Sequence, residues 1–189
     1  MTARVGHFRI KLRILYDAVI RIFTYRQYDS DEYWRKRASY RDSRSVFWTN
    51  IYYNKCFRKE ELRIIKQLII KHNIPLAGQI LDVGCGIGEV SRFLVDLGFK
   101  QIDAIDFPEM IKLAEETNPH PHIMYITSSA QCYLVDKKYD LIISSSVLSM
   151  INHIQKMFRA IKNCITMLRD EGHFLMIDPF HKSNLLARA

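Results

Sequence analysis

Glycine, proline and cysteine are all scarce in this chain of 189 residues, at 7, 5 and 4. With 48% hydrophobic and 25% charged residues, that scarcity excludes a collagenous, low-complexity or disordered chain and leaves one ordinary domain able to bury a core. Long apolar runs are missing too: no window of about 20 residues is free of charge, so no membrane-spanning helix is expected. Cys56, Cys85, Cys132 and Cys164 stand far apart, without a CxxC or Cys/His ligand spacing. Neither a zinc site nor a disulfide framework is suggested, and reduced cytosolic thiols are expected. The apolar stretch near the start is interrupted by Lys11, Arg13, Asp17 and Arg21, and no small-residue cleavage site follows. Export is therefore not expected, and a cytoplasmic location is.

Acids are deficient in one place only. Residues 1–60 hold 14 Lys and Arg against 6 Asp and Glu, whereas residues 61–189 hold 14 against 14. The whole +8 excess sits in the first third, which suggests contact with something anionic, such as a membrane surface, a phosphorylated substrate or RNA. Within it, Phe8, Leu12, Leu15, Val19 and Ile22 recur at helical spacing, with Lys11, Arg9 and Arg13 off the stripe. Such a helix can lie peripherally in a membrane interface, or pack on the domain or on a second subunit of a homodimer. Residues 28–57 interleave aromatics with arginines. Ser30 followed by two acids reads as a helix start. Arg and aromatic pairs can stack on RNA bases, but a lid over a small-molecule pocket is the favoured reading.

A helix is expected from about Lys59 to His72, ended by Asn73, Pro75 and Gly78. Residues 1–57 thus read as a helical extension or lid, and 58–189 as the main domain. Beyond position 78 the pattern alternates. The apolar runs QILDVGC, QIDAID, HIMYIT, YDLIISSSV and HFLMIDPF are separated mostly by helical segments, which implies βαβ units. The expected fold is α/β and doubly wound: a largely parallel sheet of five main strands with helices on both faces.

In such sheets ligands bind outside the carboxyl ends of the strands, and the residues that follow each apolar run are polar or glycine-rich. Gly84, Gly86 and Gly88 permit a sharp turn and close approach of a ligand. Asp106, at the end of the next strand, is placed to accept hydrogen bonds from both ribose hydroxyls, although it could also cap the helix that starts at Pro108. A dinucleotide fold spaces its glycines as GxGxxG and puts pyrophosphate on the helix N-terminus. Here Glu89 follows Gly88 directly, and an acid there disfavours pyrophosphate and suits a cationic ligand. Ser144, Ser145 and Ser146 lack the GxSxG setting of a nucleophile elbow.

The segments LDVGCGIGEVSRFL, AIDFPEMIKLAEE, YDLIISSSVLSMI and LRDEGHFLMIDPF resemble, in order, the motifs of class I S-adenosylmethionine-dependent methyltransferases, small ones of bacterial type in particular. The resemblance runs from about Ile80 to Phe180 and implies a Rossmann-like fold with S-adenosylmethionine as cofactor. By it, Gly84, Cys85 and Gly86 pass under the methionine part, with Asp82 near its amino end. Asp106 holds the ribose, Phe107 and Met110 border the adenine, and Ser128, Ser129 and Ala130 serve where relatives often carry an acid. Ser146 belongs to the same cofactor set. Tyr33, Trp34 and Arg37 resemble a helix folded over the cofactor, with Arg37 reaching its carboxylate. The family's sixth and seventh strands have no counterpart in this sequence, so the expectation is either a truncated relative or a fifth-strand edge covered by the amino-terminal segment or another subunit.

Alignment of the acceptor with an activated methyl supplies most of such catalysis, and a base is needed only for a weakly acidic hydroxyl or a protonated amine. His153 and His181, after the fourth and fifth strands, are the candidate bases, and Asp178 is ambiguous. The expected activity is methyl transfer to a small-molecule or lipid- or glycan-linked acceptor. RNA methylation and a non-catalytic cofactor-binding subunit remain the alternatives.

Overall fold

The computed structural model describes residues 30–47 and 50–178. The amphipathic segment from Phe8 to Phe23 and the candidate base His181 lie outside the described residues. Helix α1 (Ser30–Arg37) opens on the Ser, Asp, Glu sequence, with acids in its first turn and Arg35, Lys36 and Arg37 in its last, each matched to the helix dipole. Two single tight turns, Ala38–Tyr40 and Ser43–Ser45, lead to α2 (Ile51–Lys71).

Helix α2 begins eight residues ahead of the expected start at Lys59, because the Asn50 side chain accepts from the Tyr53 N–H and caps it. Its buried face is Asn54, Glu61, Ile65 and Ile69, while Tyr52 and Tyr53 are exposed. The mixed polarity of that face hid the first two turns from a count of apolar residues. The helix is continuous through position 57.

The alternation that follows is the expected one: β1 (Ile80–Val83), α3 (Glu89–Asp96), β2 (Ile102–Asp106), α4 (Pro108–Thr117), β3 (Ile123–Thr127), β4 (Tyr139–Ser145), α5 (Ile154–Met167) and β5 (Leu168–Ile177). All pairings are parallel, in the order β3-β2-β1-β4-β5. The final strand starts earlier than its apolar run at His173. Leu168 pairs with Tyr139, residues 169–172 loop out, and pairing resumes with His173 opposite Leu141.

Alternation along the strands divides the core in two. Ile80, Ile102, Ala104, Ile123, Leu141 and Ile143 face α2, α3 and α4 through Ile65, Ile69, Val90, Leu94 and Ile111. Leu81, Val83, Ile105 and Ile142 face Cys164 and Met167 near the end of α5. No helix forms between β3 and β4. There the connection covers the second face with Tyr133, whose hydroxyl lies 3.0 Å from that of Tyr139, and Tyr139 donates to the buried Asp103 at 2.6 Å. All four cysteines are free.

Candidate functional site

The chain leaves β1 toward β2 on one side and returns to β4 on the other, so the crevice outside β1 is the point where strand order reverses. The glycine turn fills its floor. Gly84 and Cys85 donate to the Ile105 carbonyl at 2.8 and 3.0 Å, and the Gly86 N–H donates to the Asp106 carboxylate at 2.8 Å. Gly84 and Gly86 have φ of 73° and 56°, and a Cβ would lie 2.2 Å from Val147 and 2.3 Å from Val46. Only glycine fits both the backbone and the space.

Asp106 is not a helix cap. Phe107 occupies the N-cap of α4 with extended backbone, Pro108 follows at the first turn, and the Asp106 carboxylate turns back to the Gly86 N–H and to the Phe107 N–H at 2.7 Å. Each of its oxygens accepts one of these bonds and keeps a further acceptor position, and the residue lines the cleft. Burial pushes Asp106 up to about 6, against the pull of those two N–H groups. Asp82, the recipient of a 2.6 Å hydrogen bond from Ser91 Oγ, is likewise pushed up to about 6 by burial, which the Ser91 hydrogen bond and the Arg58 charge oppose. Burial first, then Asp106 and Asp82, raise the Cys85 thiol, so it stays protonated and is no nucleophile.

One cleft gathers most of the residues expected from the sequence. Asp82, Gly84, Cys85, Gly86, Asp106, Phe107, Met110, Ser128, Ser129, Ala130 and Ser146 all line it. Trp34, Val46 and Phe47 roof it from the amino-terminal segment. That roof is tied to α4: the Arg35 guanidinium lies 5.1 Å over the Phe107 ring and 4.0 Å from Glu109, and Arg41 pairs with Glu116.

Arg37 is not among the lining residues. Its guanidinium donates to the carbonyls of Arg44 and Phe47 and, at 2.8 Å, to the Tyr33 hydroxyl, and it stacks on Tyr33, Trp34 and Tyr40. It shapes the lid from behind. The cation in the cleft is Arg58, from α2, alone of its sign among the described lining residues and accompanied by Asp31, Asp82 and Asp106. The apolar spacing alone starts this helix at Lys59, one residue beyond Arg58, and so does not reveal it. Glu61, three residues on and in phase with Ile65 and Ile69, was the available signal, since an acid on a buried helix face calls for a partner.

His153 is exposed at the N-cap of α5 and does not line the cleft. Asp178 accepts from the Ser149 N–H at 3.0 Å and hydroxyl at 2.8 Å, anchoring the Leu148–Met150 turn, and burial raises its pKa. Ser145, Met150, Ile151 and Gln131 also line the cleft. Among the described residues no cluster of His, Cys, Asp or Glu could hold a metal ion.

The profile of the methyltransferase domain family matches residues 81–176, just over half of the chain and the stretch that builds this cleft. The chain belongs to the class I S-adenosylmethionine-dependent methyltransferases. Among curated relatives, malonyl-[acyl-carrier protein] O-methyltransferase of Bacillus cytotoxicus is 31% identical over 52% of this chain and 35% of its own length. Nodulation protein S of Bradyrhizobium diazoefficiens is 27% identical over 58% of this chain and 53% of its own. The chain thus spans about a third to a half of those relatives. The N-methyltransferase NodS of Bradyrhizobium japonicum, solved with S-adenosyl-L-homocysteine, superposes with a TM-score of 0.65 over 79% of this chain and 72% of that one, at 22% identity. That likeness shows the Rossmann-like methyltransferase fold. No helix among the described residues is long and apolar enough to cross a membrane.

Proposed function

We propose that the chain binds S-adenosylmethionine in this cleft and transfers its methyl group to a small-molecule or lipid- or glycan-linked acceptor. The observation that carries the reading is the joint placement of the glycine turn, Asp106 and the adenine-side loop 128–131 around one roofed crevice at the switch point of the sheet.

The residues present fit the cofactor. Glycines 84 and 86 leave a floor that any Cβ would fill. Asp106 has acceptor positions for ribose hydroxyls, Phe107 and Met110 supply apolar borders for a flat base, and Ser128, Ser129, Ala130 and Gln131 offer polar groups beside it. At the β1 end, the buried Asp82 suits an ammonium and Arg58 suits a carboxylate. The cofactor brings a methyl group already activated by its sulfonium. The chain supplies exclusion of water, through Trp34, Val46 and Phe47, and alignment, through the crevice walls Val147, Met150 and Ile151. His153, turned to solvent, supplies no base to this cleft.

Two observations favour a small acceptor over RNA. The relatives named above include an enzyme whose name specifies a carrier-bound acyl group. In addition, Arg35, Lys36, Arg41, Arg44 and Arg58 of the basic segment are each paired with an acid, which leaves less charge for phosphates.

Calorimetry with S-adenosylhomocysteine tests the binding half, and release of that product from S-adenosylmethionine with candidate acceptors tests the transfer half. Folded protein that binds neither nucleoside refutes the reading. Binding without turnover on small, carrier-linked and RNA acceptors would instead identify a non-catalytic cofactor-binding subunit.

A further inference from the structure

Glu61 is 3% exposed on the buried face of α2, where an unpaired carboxylate would be costly. It has two partners from different elements. One oxygen accepts from Arg58 Nη1 and the other from the Ser145 hydroxyl at the end of β4. Arg58 also donates through Nε to Glu89, at the start of α3, at 3.0 Å, and its guanidinium lies 4.4 Å over the Phe47 ring of the lid. The guanidinium is therefore held by acids from two helices and by an aromatic face, in a side chain only 14% exposed. Among the described residues Nη2 has no partner.

An arginine tethered less firmly would have a second acid within its influence. Asp82 lines the same crevice and feels the Arg58 charge, yet its hydrogen bond comes from Ser91. If Arg58 collapsed onto Asp82, the cation and the anion of the crevice would cancel each other. With Glu61 and Glu89 holding Arg58, both charges stay available, separated, to a zwitterionic ligand group.

Building on the cofactor reading above, we propose that Glu61 is a positioning residue for the amino-acid end of the nucleoside: by fixing Arg58 and Ser145 it presents Arg58 Nη2 to a ligand carboxylate. The consequence is selectivity. The cleft distinguishes an adenosyl thioether that carries an amino-acid tail from one that does not, and Glu61 sets the margin although it does not line the cleft.

The test compares S-adenosylhomocysteine with 5′-methylthioadenosine, which shares the nucleoside and sulfur but lacks the amino-acid group. In Glu61→Gln, affinity for S-adenosylhomocysteine should fall about ten-fold or more, the scale of one charge-assisted contact, while methylthioadenosine stays within about two-fold of wild type. Arg58→Gln should show the same selective loss, and the double variant should lose little more than either single one. Equal weakening of both ligands would reveal a merely structural role and overturn the proposal, as would no loss for either. Should Glu61→Gln fail to fold, Ser145→Ala removes the other tether; a selective loss supports the proposal and an unselective one overturns it. If neither ligand binds the wild type, the cofactor reading beneath it falls first.

Discussion

The two sides of the crevice are built in different ways. On the β1–β2 side the site is main chain: a glycine turn docked on the Ile105 carbonyl, with one carboxylate, Asp106, gripping two backbone N–H groups within 20 residues of it in sequence. On the side of α2 and β4 it is side chain: Ser145 to Glu61 across 84 residues, Arg58 to Glu89 across 31, and the Ser149 hydroxyl to Asp178 across 29. Local backbone construction leaves a floor at Gly84 and Gly86 that tolerates no added atoms. Long-range construction leaves a wall whose chemistry single side chains can change.

The sharpest way to break the first side is Gly86→Val. The residue must adopt φ of 56°, and its Cβ would meet Val46 at 2.3 Å. Left-handed strain and displacement of the lid should together cost about 3 kcal/mol, roughly a hundred-fold in S-adenosylhomocysteine affinity by calorimetry. Retained affinity would mean that the turn does not carry the ligand. Asp106→Ala should follow, weakening binding by about 1–3 kcal/mol through lost ribose contacts and two deprived N–H groups.

Acidity offers a graded comparison. Asp82 and Asp106 are pushed up to about 6 from 3.8, so between those values the folded protein holds protons that the unfolded chain has released. Stability from this source is complete below 3.8 and is lost as pH rises through 6, which thermal melts of the cofactor-free protein should show. A cationic ligand group prefers the ionised pair, so nucleoside affinity should move oppositely, rising from about pH 5 to about pH 7 with proton release near the midpoint. Calorimetry in two buffers of different ionisation heat measures that release, and Asp82→Asn should flatten the trend. The smallest effect belongs to the lid surface. Arg41 and Glu116 are 67% and 38% exposed, and Arg41→Gln should change stability by less than about 1 kcal/mol. A large loss in a denaturant titration would show that the lid is held at its rim and not by Arg37 and Phe47 beneath.

Much of this was legible in the residue string, and the reason lies in range. The strand and helix order from Ile80 to Ile177, the glycine turn, Asp106 and the loop Ser128 to Ala130 all follow from patterns a few residues wide: period two in a strand, a chirality-relieving glycine, a polar residue after an apolar run. A parallel sheet then places those ends together whatever the details. Tertiary structure alone decided which arginine faces the cleft. Arg37 had the better local setting, yet its guanidinium is consumed by the carbonyls of Arg44 and Phe47, while Arg58 is drawn inward by Glu61 and Glu89. Charges choose partners by distance in space: the Glu61 contact follows from a three-residue spacing on one helix, but no spacing along the chain encodes that Glu89, 31 residues on, comes within 3.0 Å.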